Sequence, residues 1–218
     1  MKLTHSYSSI KMYMNCPLRY YHQRVMKAVS DPGSEATHYG ERIHKFLEER
    51  LKTNTDLPQE AKDYETITAA IISGIGDGEL LVEQELTLNI ELKPTGWFDD
   101  DAWLRTKIDV LIVDGKRASV LDWKTGKRRP DFDQLELYAL QIFTHYPQVE
   151  RISVGFVWLK DKSIDRETYV RQDAAALWEK LLTQINRIEK SLETDVWPAR
   201  PSGLCRYCPA RHLCEYAQ

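Results

Sequence analysis

No stretch of the 218 residues stays apolar for the length that a membrane span needs. The opening residues, MKLTHSYSSIKMY, lack the apolar core of a secretory leader. Both absences predict a cytoplasmic protein. A Gly-Lys-Ser/Thr phosphate loop is also missing, so the chain carries no nucleotide-driven motor of that kind. The Gly-rich SGIGDG at 73–78 reads as a turn. No internal repeat or low-complexity tract interrupts a composition that is 42% hydrophobic and 29% charged, the balance of a globular domain. Cysteine is scarce: Cys16 stands alone, and Cys205, Cys208 and Cys214 crowd the C-terminal end. In a reducing compartment this pattern argues for metal or redox chemistry rather than disulfides.

Acidic residues are absent from positions 1–30, which hold Lys2, Lys11, Arg19, Arg24 and Lys27. A second basic cluster comprises Lys116, Arg117, Lys124, Lys127, Arg128 and Arg129. A net charge of −3 argues mildly against a protein that coats nucleic acid indiscriminately. Basic patches on a mildly acidic chain suit one phosphate-binding groove. Any single Lys or Arg is explained as well by ordinary solvated charge.

The most informative stretch is IDVLIVDGKRASVLDWKTGK, residues 108–127. Two runs rich in β-branched residues and leucine flank Asp114-Gly115, a strong turn signal, and predict a β-hairpin. Asp122 and Lys124 are two apart and share a strand face. A two-residue Asp-Gly loop sets Asp109 opposite Val120, and a four-residue loop through Arg117 sets it opposite Asp122. Either register puts all three side chains on one face. Two carboxylates so placed repel each other unless a cation offsets them. Mg²⁺ or Mn²⁺, with their preference for oxygen ligands, meet that need.

Elsewhere the chain reads as alternating helices and strands. Residues 7–26 predict a helix capped by Ser8 or Ser9 and kinked at Cys16-Pro17, with Ile10, Met14, Leu18, Tyr21 and Val25 as its stripe. Helices are predicted over 38–51, with Ile43, Phe46, Leu47 and Leu51 inward, over 59–73, over 131–146 and over 173–193. Residues 80–92 alternate as a half-buried strand, and 151–159 form another. His44 beside the apolar stripe of 38–51 reads, from the residues alone, as a core or boundary histidine. Gln134 and Tyr138, four apart on one helix face, read as a capping Gln and a packed Tyr.

Asp109 followed by Asp122-Trp123-Lys124-Thr125-Gly126 resembles the RecB-like branch of the PD-(D/E)XK nuclease superfamily, an isolated Asp followed by D-x-K-T-G. Gly40, His44, Leu47 and Glu48 match that branch's G-x-x-x-H-x-x-L-E helix, and Gln134 and Tyr138 match its Q-x-x-x-Y. Trp123 stands where the family often has Tyr. The resemblance implies an α/β fold, a restriction-endonuclease-like mixed sheet flanked by helices, in one domain spanning 1–218. It implies that His44, Asp109, Asp122 and the Trp123 carbonyl bind Mg²⁺ or Mn²⁺, and that an acidic residue on the preceding strand joins them. Glu85 is the choice and Glu83 the alternative, since alternation does not separate them. It makes Lys124 the residue that positions the attacking water, with Gln134 and Tyr138 orienting the site.

The tail reads C-x2-C-x5-C. Spacing leaves zinc and iron–sulfur both open. The same resemblance, extended to branch members with a distant N-terminal cysteine, implies a [4Fe–4S] cluster on Cys16, Cys205, Cys208 and Cys214. Residues 1–30 and 195–218 would then form the cluster subdomain. The implied activity is a DNA exonuclease acting on single strands or duplex ends, 5′ to 3′ favoured, in repair, recombination or CRISPR-type processing. The implied company is DNA and a helicase, recombinase or integrase. A structure-specific endonuclease and a catalytically weak DNA-end adaptor are the alternatives.

Overall fold

The structure is a computed structural model and describes residues 3–216. The chain divides into two compact units: Gly33–Leu177, and the described parts of Met1–Pro32 and Trp178–Gln218.

The central unit is built on one five-stranded sheet in sequence order, with β1 (Glu79–Leu88), β2 (Leu104–Asp114), β3 (Arg117–Lys124), β4 (Arg151–Trp158) and β5 (Ser163–Val170). All neighbours are antiparallel except β3 and β4, which run parallel. A parallel pair needs a crossover, and helix α5 (Phe132–His145) supplies it. The result is a mixed sheet between helices, the predicted fold class. Helix α5 buries Leu135, Tyr138, Ala139, Ile142 and Phe143 against one face of the sheet. The other face is covered by Ile43, Leu47 and Leu51 of helix α3 (Glu35–Thr53), by the 3₁₀ turn Gln59–Tyr64 and by Ile71 of helix α4 (Glu65–Ser73). Each fully buried Leu or Ile contributes about 1.5–3 kcal/mol. Arg171 ties down the end of the crossover, its guanidinium donating to the carbonyls of Phe143, Tyr146 and Val149.

The hairpin forms, but its turn is one residue on. Asp114 pairs with Arg117, so the loop is Gly115-Lys116 rather than Asp114-Gly115. Gly115 has φ +54° and Lys116 does not follow it into that region, the II′ pattern that matches strand twist. In this register Asp109 falls opposite Asp122, yet the ladder stops at Val110↔Leu121. The Trp123 N–H donates to Asp109 Oδ2 at 2.8 Å instead.

Strand alternation also slips. On β1, Leu81 and Leu86 reach the α5 face although they are of opposite parity; on β2, Ile108 and Leu111 do the same. The slip lies at Glu83 and Asp109, the only step that the β1–β2 register skips. Glu83 has φ +56°, a conformation that costs a non-glycine residue about 1–3 kcal/mol. The expected arrangement of Asp109, Asp122 and Lys124 on one regular face therefore gives way to a kinked step. Strand β1 also ends at Leu88, short of Ile90 and Leu92, because Leu92 takes φ +58° in the following turn. Strand β5 went unpredicted: its charged edge residues mask the alternation.

In the terminal unit, helix α1 (Tyr7–Asn15) is capped by Ser6, whose Oγ accepts from Ser9 N while Ser9 Oγ accepts from Ser6 N. Ser8 and Ser9 thus lie inside the helix they were expected to cap. Cys16, extended at φ −160°, breaks it, and Pro17 opens helix α2 (Pro17–Tyr20), which continues as a π turn over Tyr21–Val25. Ser9, Ile10, Tyr13, Pro17 and Tyr20 are the buried positions, which shifts the stripe from the one expected. Trp197 lies stacked on Tyr20 and edge-on to Tyr13. Ser191 of helix α6 (Ala174–Thr194) hydrogen-bonds Tyr13 Oη at 2.7 Å.

Candidate active site

Three ligand-type atoms, one each from His44, Glu83 and Asp109, lie within 4.8 Å of one another. They come from α3, β1 and β2. Gly40, one helical turn before His44, lets α3 approach the sheet edge: a Cβ there would stand 2.9 Å from Thr125 Oγ1. That contact is the local reason for glycine in the G-x-x-x-H spacing. The cluster lines an open cleft of about 590 Å³, together with Lys107 and Lys124.

His44 faces oxygen on both sides. Its Nε2 is 3.0 Å from the Trp123 carbonyl and its Nδ1 is 3.4 Å from Asp109 Oδ2. Burial pulls the imidazole pKa down, but the hydrogen bond and charge of Asp109, helped by Asp122 and Glu83, outweigh it and leave the pKa raised. A ring flanked by two acceptors favours two protons, and a cation would take the place of one. Glu83 is held by Lys107, Oε2 to Nζ at 2.5 Å.

Asp122 is 3% exposed. Its Oδ1 accepts from Tyr138 Oη at 2.5 Å and from Gln134 Nε2 at 2.9 Å. Its Oδ2 stands 2.6 Å from Lys124 Nζ and accepts no directed hydrogen bond among the described residues. Burial first, and then the charge of Asp109, push its pKa up. An ionised carboxylate here is therefore costly until a cation arrives. Gln134 also accepts from Lys124 Nζ at 3.1 Å and donates to Tyr138 Oη at 2.7 Å. The Lys124 ammonium rests over the Phe156 ring, 4.8 Å from its centroid, which limits its freedom. The residues present fit a hard divalent cation: carboxylate oxygens of Glu83 and Asp109 and the His44 imidazole converge beside the Asp122–Lys124 pair.

Of the expected residues, His44, Asp109 and the Trp123 carbonyl gather at one point, and Asp122, Lys124, Gln134 and Tyr138 form a hydrogen-bonded set beside it. Of the two glutamates weighed, the structure brings Glu83 and not Glu85 to this point. Glu85 is exposed and pairs with Lys107 across the ladder, whereas the left-handed turn at Glu83 brings that side chain to Asp109. Lys107, in the cleft wall, was missed.

The four cysteines are free and half-buried. No three of their sulfurs lie within 4.8 Å of one another among the described residues, while tetrahedral zinc needs thiolates about 3.8 Å apart. Amide N–H groups of Arg200 and Ser202 donate to Cys16 Sγ and Cys205 Sγ at 3.5 and 3.2 Å.

No helix among the described residues is long and apolar enough to cross a membrane. A comparison with curated proteins finds no match. Among solved structures, the chain is similar to a protein of Eubacterium rectale described as a candidate exonuclease, with TM-score 0.58, 15% identity, and coverage of 96% of this chain and 87% of that one. It is also similar to the protein SSO0001, with TM-score 0.50, 14% identity, and coverage of 100% and 88%. At such identities the likeness is one of fold. A model of the PD-(D/E)XK nuclease superfamily matches residues 4–215. With nearly its whole length matched and the Asp109, Asp122-Trp123-Lys124 signature set around one cleft, the chain belongs to the PD-(D/E)XK nuclease superfamily.

Proposed function

We propose that the chain is a Mg²⁺- or Mn²⁺-dependent deoxyribonuclease, an exonuclease acting on single strands or DNA ends with a 5′ to 3′ preference. The observation that carries this reading is the convergence of His44, Glu83 and Asp109 beside the Asp122–Lys124 pair in an open cleft. His44, Asp109, Asp122 and Glu83 would hold the ion, aided by the Trp123 carbonyl. Bound there, the ion supplies Lewis acidity at the phosphodiester and lowers the pKa of water. Lys124 supplies positive charge where negative charge develops and orients the attacking water. Gln134 and Tyr138 hold Asp122 and, through Gln134 Oε1, Lys124 in place. Phosphodiester hydrolysis of this kind leaves a 5′-phosphate.

The tail cysteines and Cys16 are assigned in this reading to a structural [4Fe–4S] cluster. What supports it is the resemblance of Cys16 and the C-x2-C-x5-C tail to the cluster-bearing branch members, with amide N–H bonds to two of the sulfurs. The setting is DNA repair, recombination or CRISPR-type processing, with a helicase, recombinase or integrase as partner.

The test is digestion of DNA labelled at either end, in Mg²⁺ and in Mn²⁺, with wild type beside Lys124→Ala. Wild type should release products from one labelled end, and the variant should lose about 10²–10³ in kcat, as for loss of one preorganised electrostatic group. A wild type that binds but never cuts sinks the enzyme reading and leaves an end-binding adaptor. An anaerobic spectrum absorbing near ~400 nm, as expected for thiolate-ligated clusters, supports the cluster; a colourless, zinc-loaded protein overturns it.

A further inference from the structure

A second cleft of about 540 Å³ opens beside the first and shares Ala36, Thr125 and Gly126 with it. Its cations are Arg42, Lys127 and Lys160, and Glu35 is the carboxylate on its wall. Arg42 is engaged by Glu60 at 2.9 Å. Lys127 and Lys160 are exposed and enter no ion pair among the described residues.

Both lysines are placed by the strand end that carries Lys124. Lys127 follows it by three residues. Lys160 follows Trp158, the residue paired with Lys124 across the parallel ladder, and Leu159 N donates to the Lys124 carbonyl at 3.0 Å. The Lys160 ammonium is also held, over the Tyr39 ring at 5.5 Å from its centroid. Tyr39 is fixed in turn by its hydroxyl, 3.3 Å from that of Tyr64. An exposed lysine normally sweeps a wide volume, and this one is restrained at the mouth of a cleft.

Two ammonium groups without carboxylate partners, in a groove continuous with a phosphodiester-cleaving cleft, match a phosphate and not a base edge. We infer that this second cleft is the subsite for the backbone phosphate flanking the scissile one, gripped by Lys127 and Lys160 with Tyr39 positioning Lys160. The inference rests on the nuclease reading above and adds how the strand is threaded: along the wall from Lys124 towards Lys160.

The test compares a single-stranded oligonucleotide with bis(p-nitrophenyl) phosphate, a diester with no flanking phosphate. The double variant Lys127→Ala/Lys160→Ala is measured beside wild type, with Lys116→Ala, whose lysine lines neither cleft, as the control for lost charge. The oligonucleotide-to-diester ratio of kcat/KM should fall about tenfold in the double variant, through KM, and hold in the control. The slope of log Kd for the oligonucleotide against log salt should shrink by about 0.7, the value for one neutralised phosphate on a single strand. Tyr39→Leu should reproduce part of the KM rise. An unchanged ratio and slope, or an equal fall on both substrates, overturns the subsite. A wild type that hydrolyses neither substrate sinks the nuclease reading instead, and anisotropy of labelled oligonucleotide over the same salt series then decides the subsite alone.

Discussion

Glu83 and Asp109 share the one step of the β1–β2 ladder at which no residue pair is matched, and a carboxylate oxygen of each lies within 4.8 Å of the other and of His44. Glu83 gets there by a left-handed backbone at φ +56°. The cost of that conformation is sustained only if the surrounding sheet imposes it, and such residues concentrate at functional sites.

This relationship separates two glutamates that sequence treats alike. Glu83→Gln should lower divalent-ion affinity by about tenfold or more, since it removes a ligand charge. Glu85→Gln, on an exposed ladder position, should leave both affinity and turnover near wild type. Metal titration of nuclease activity checks both, and equal losses would return Glu85 to the site.

The placement of Glu83 rather than Glu85 beside Asp109 shows what was legible. Alternation and turn chemistry locate the hairpin, and the spacing of Asp122, Lys124, Gln134 and Tyr138 carries straight into hydrogen bonds, because two-residue and four-residue spacings are fixed by strand and helix geometry. A single left-handed residue inverts the alternation on either side of it, and nothing in a Glu forecasts that. Strand β5 escaped for another reason: edge strands carry charges such as Asp165, Arg166 and Glu167 on purpose, to block pairing, and so hide their period. Asp165 is occupied by Arg128 and by Trp158 Nε1 at 2.7 Å.

Divalent ions should stabilise the fold. At a hundred times Kd, a site absent from the unfolded chain contributes about 2.7 kcal/mol, or a rise in Tm of roughly 5–10 °C for a chain of this size. Asp109→Ala should abolish the rise. The sign of its pH dependence follows from Asp122. With its folded pKa raised above the ordinary carboxylate value, the metal-free protein holds that proton more tightly than the unfolded chain does. Its stability therefore falls as pH climbs from the ordinary value through the raised one. Bound cation relieves this, so the Tm increment from Mg²⁺ should grow across that window. Melts in EDTA and in Mg²⁺ at a series of pH values measure it.

Tyr138→Phe removes the hydroxyl that donates to Asp122 Oδ1. Tyr138 is buried and its own pKa is raised well above 10 by burial and by the charge of Asp122, so it remains a donor at every working pH. Its hydrogen bond lowers the Asp122 pKa. Without it, the carboxylate is harder to ionise, and the acid limb of the pH–rate profile should move to higher pH. A hydrogen bond to a charged group is worth about 1.5–3 kcal/mol, enough for a shift of about one to two pH units at 1.36 kcal/mol each. A lower rate with an unmoved limb would mean that Tyr138 acts only as packing.

Gly40 and Thr125 offer a test of the helix–loop approach that sets His44 against the sheet. A Cβ at position 40 would sit 2.9 Å from Thr125 Oγ1, too close for an unshifted pair. The clash is met by a shift of the loop that carries Thr125 rather than of the core, so Gly40→Ala should cost the fold little; alanine is in fact the better helix residue, by about 1 kcal/mol. The displaced segment is the one that follows Lys124 and lines both clefts. Turnover should therefore drop about tenfold or more while Tm holds or rises, because small displacements of a positioned group weigh on rate more than on stability. Thr125→Ala introduced together with Gly40→Ala removes the opposing Oγ1 and should restore most of the rate. A single variant that loses stability and rate together, without rescue by the second change, would show that the glycine serves folding rather than the placement of His44.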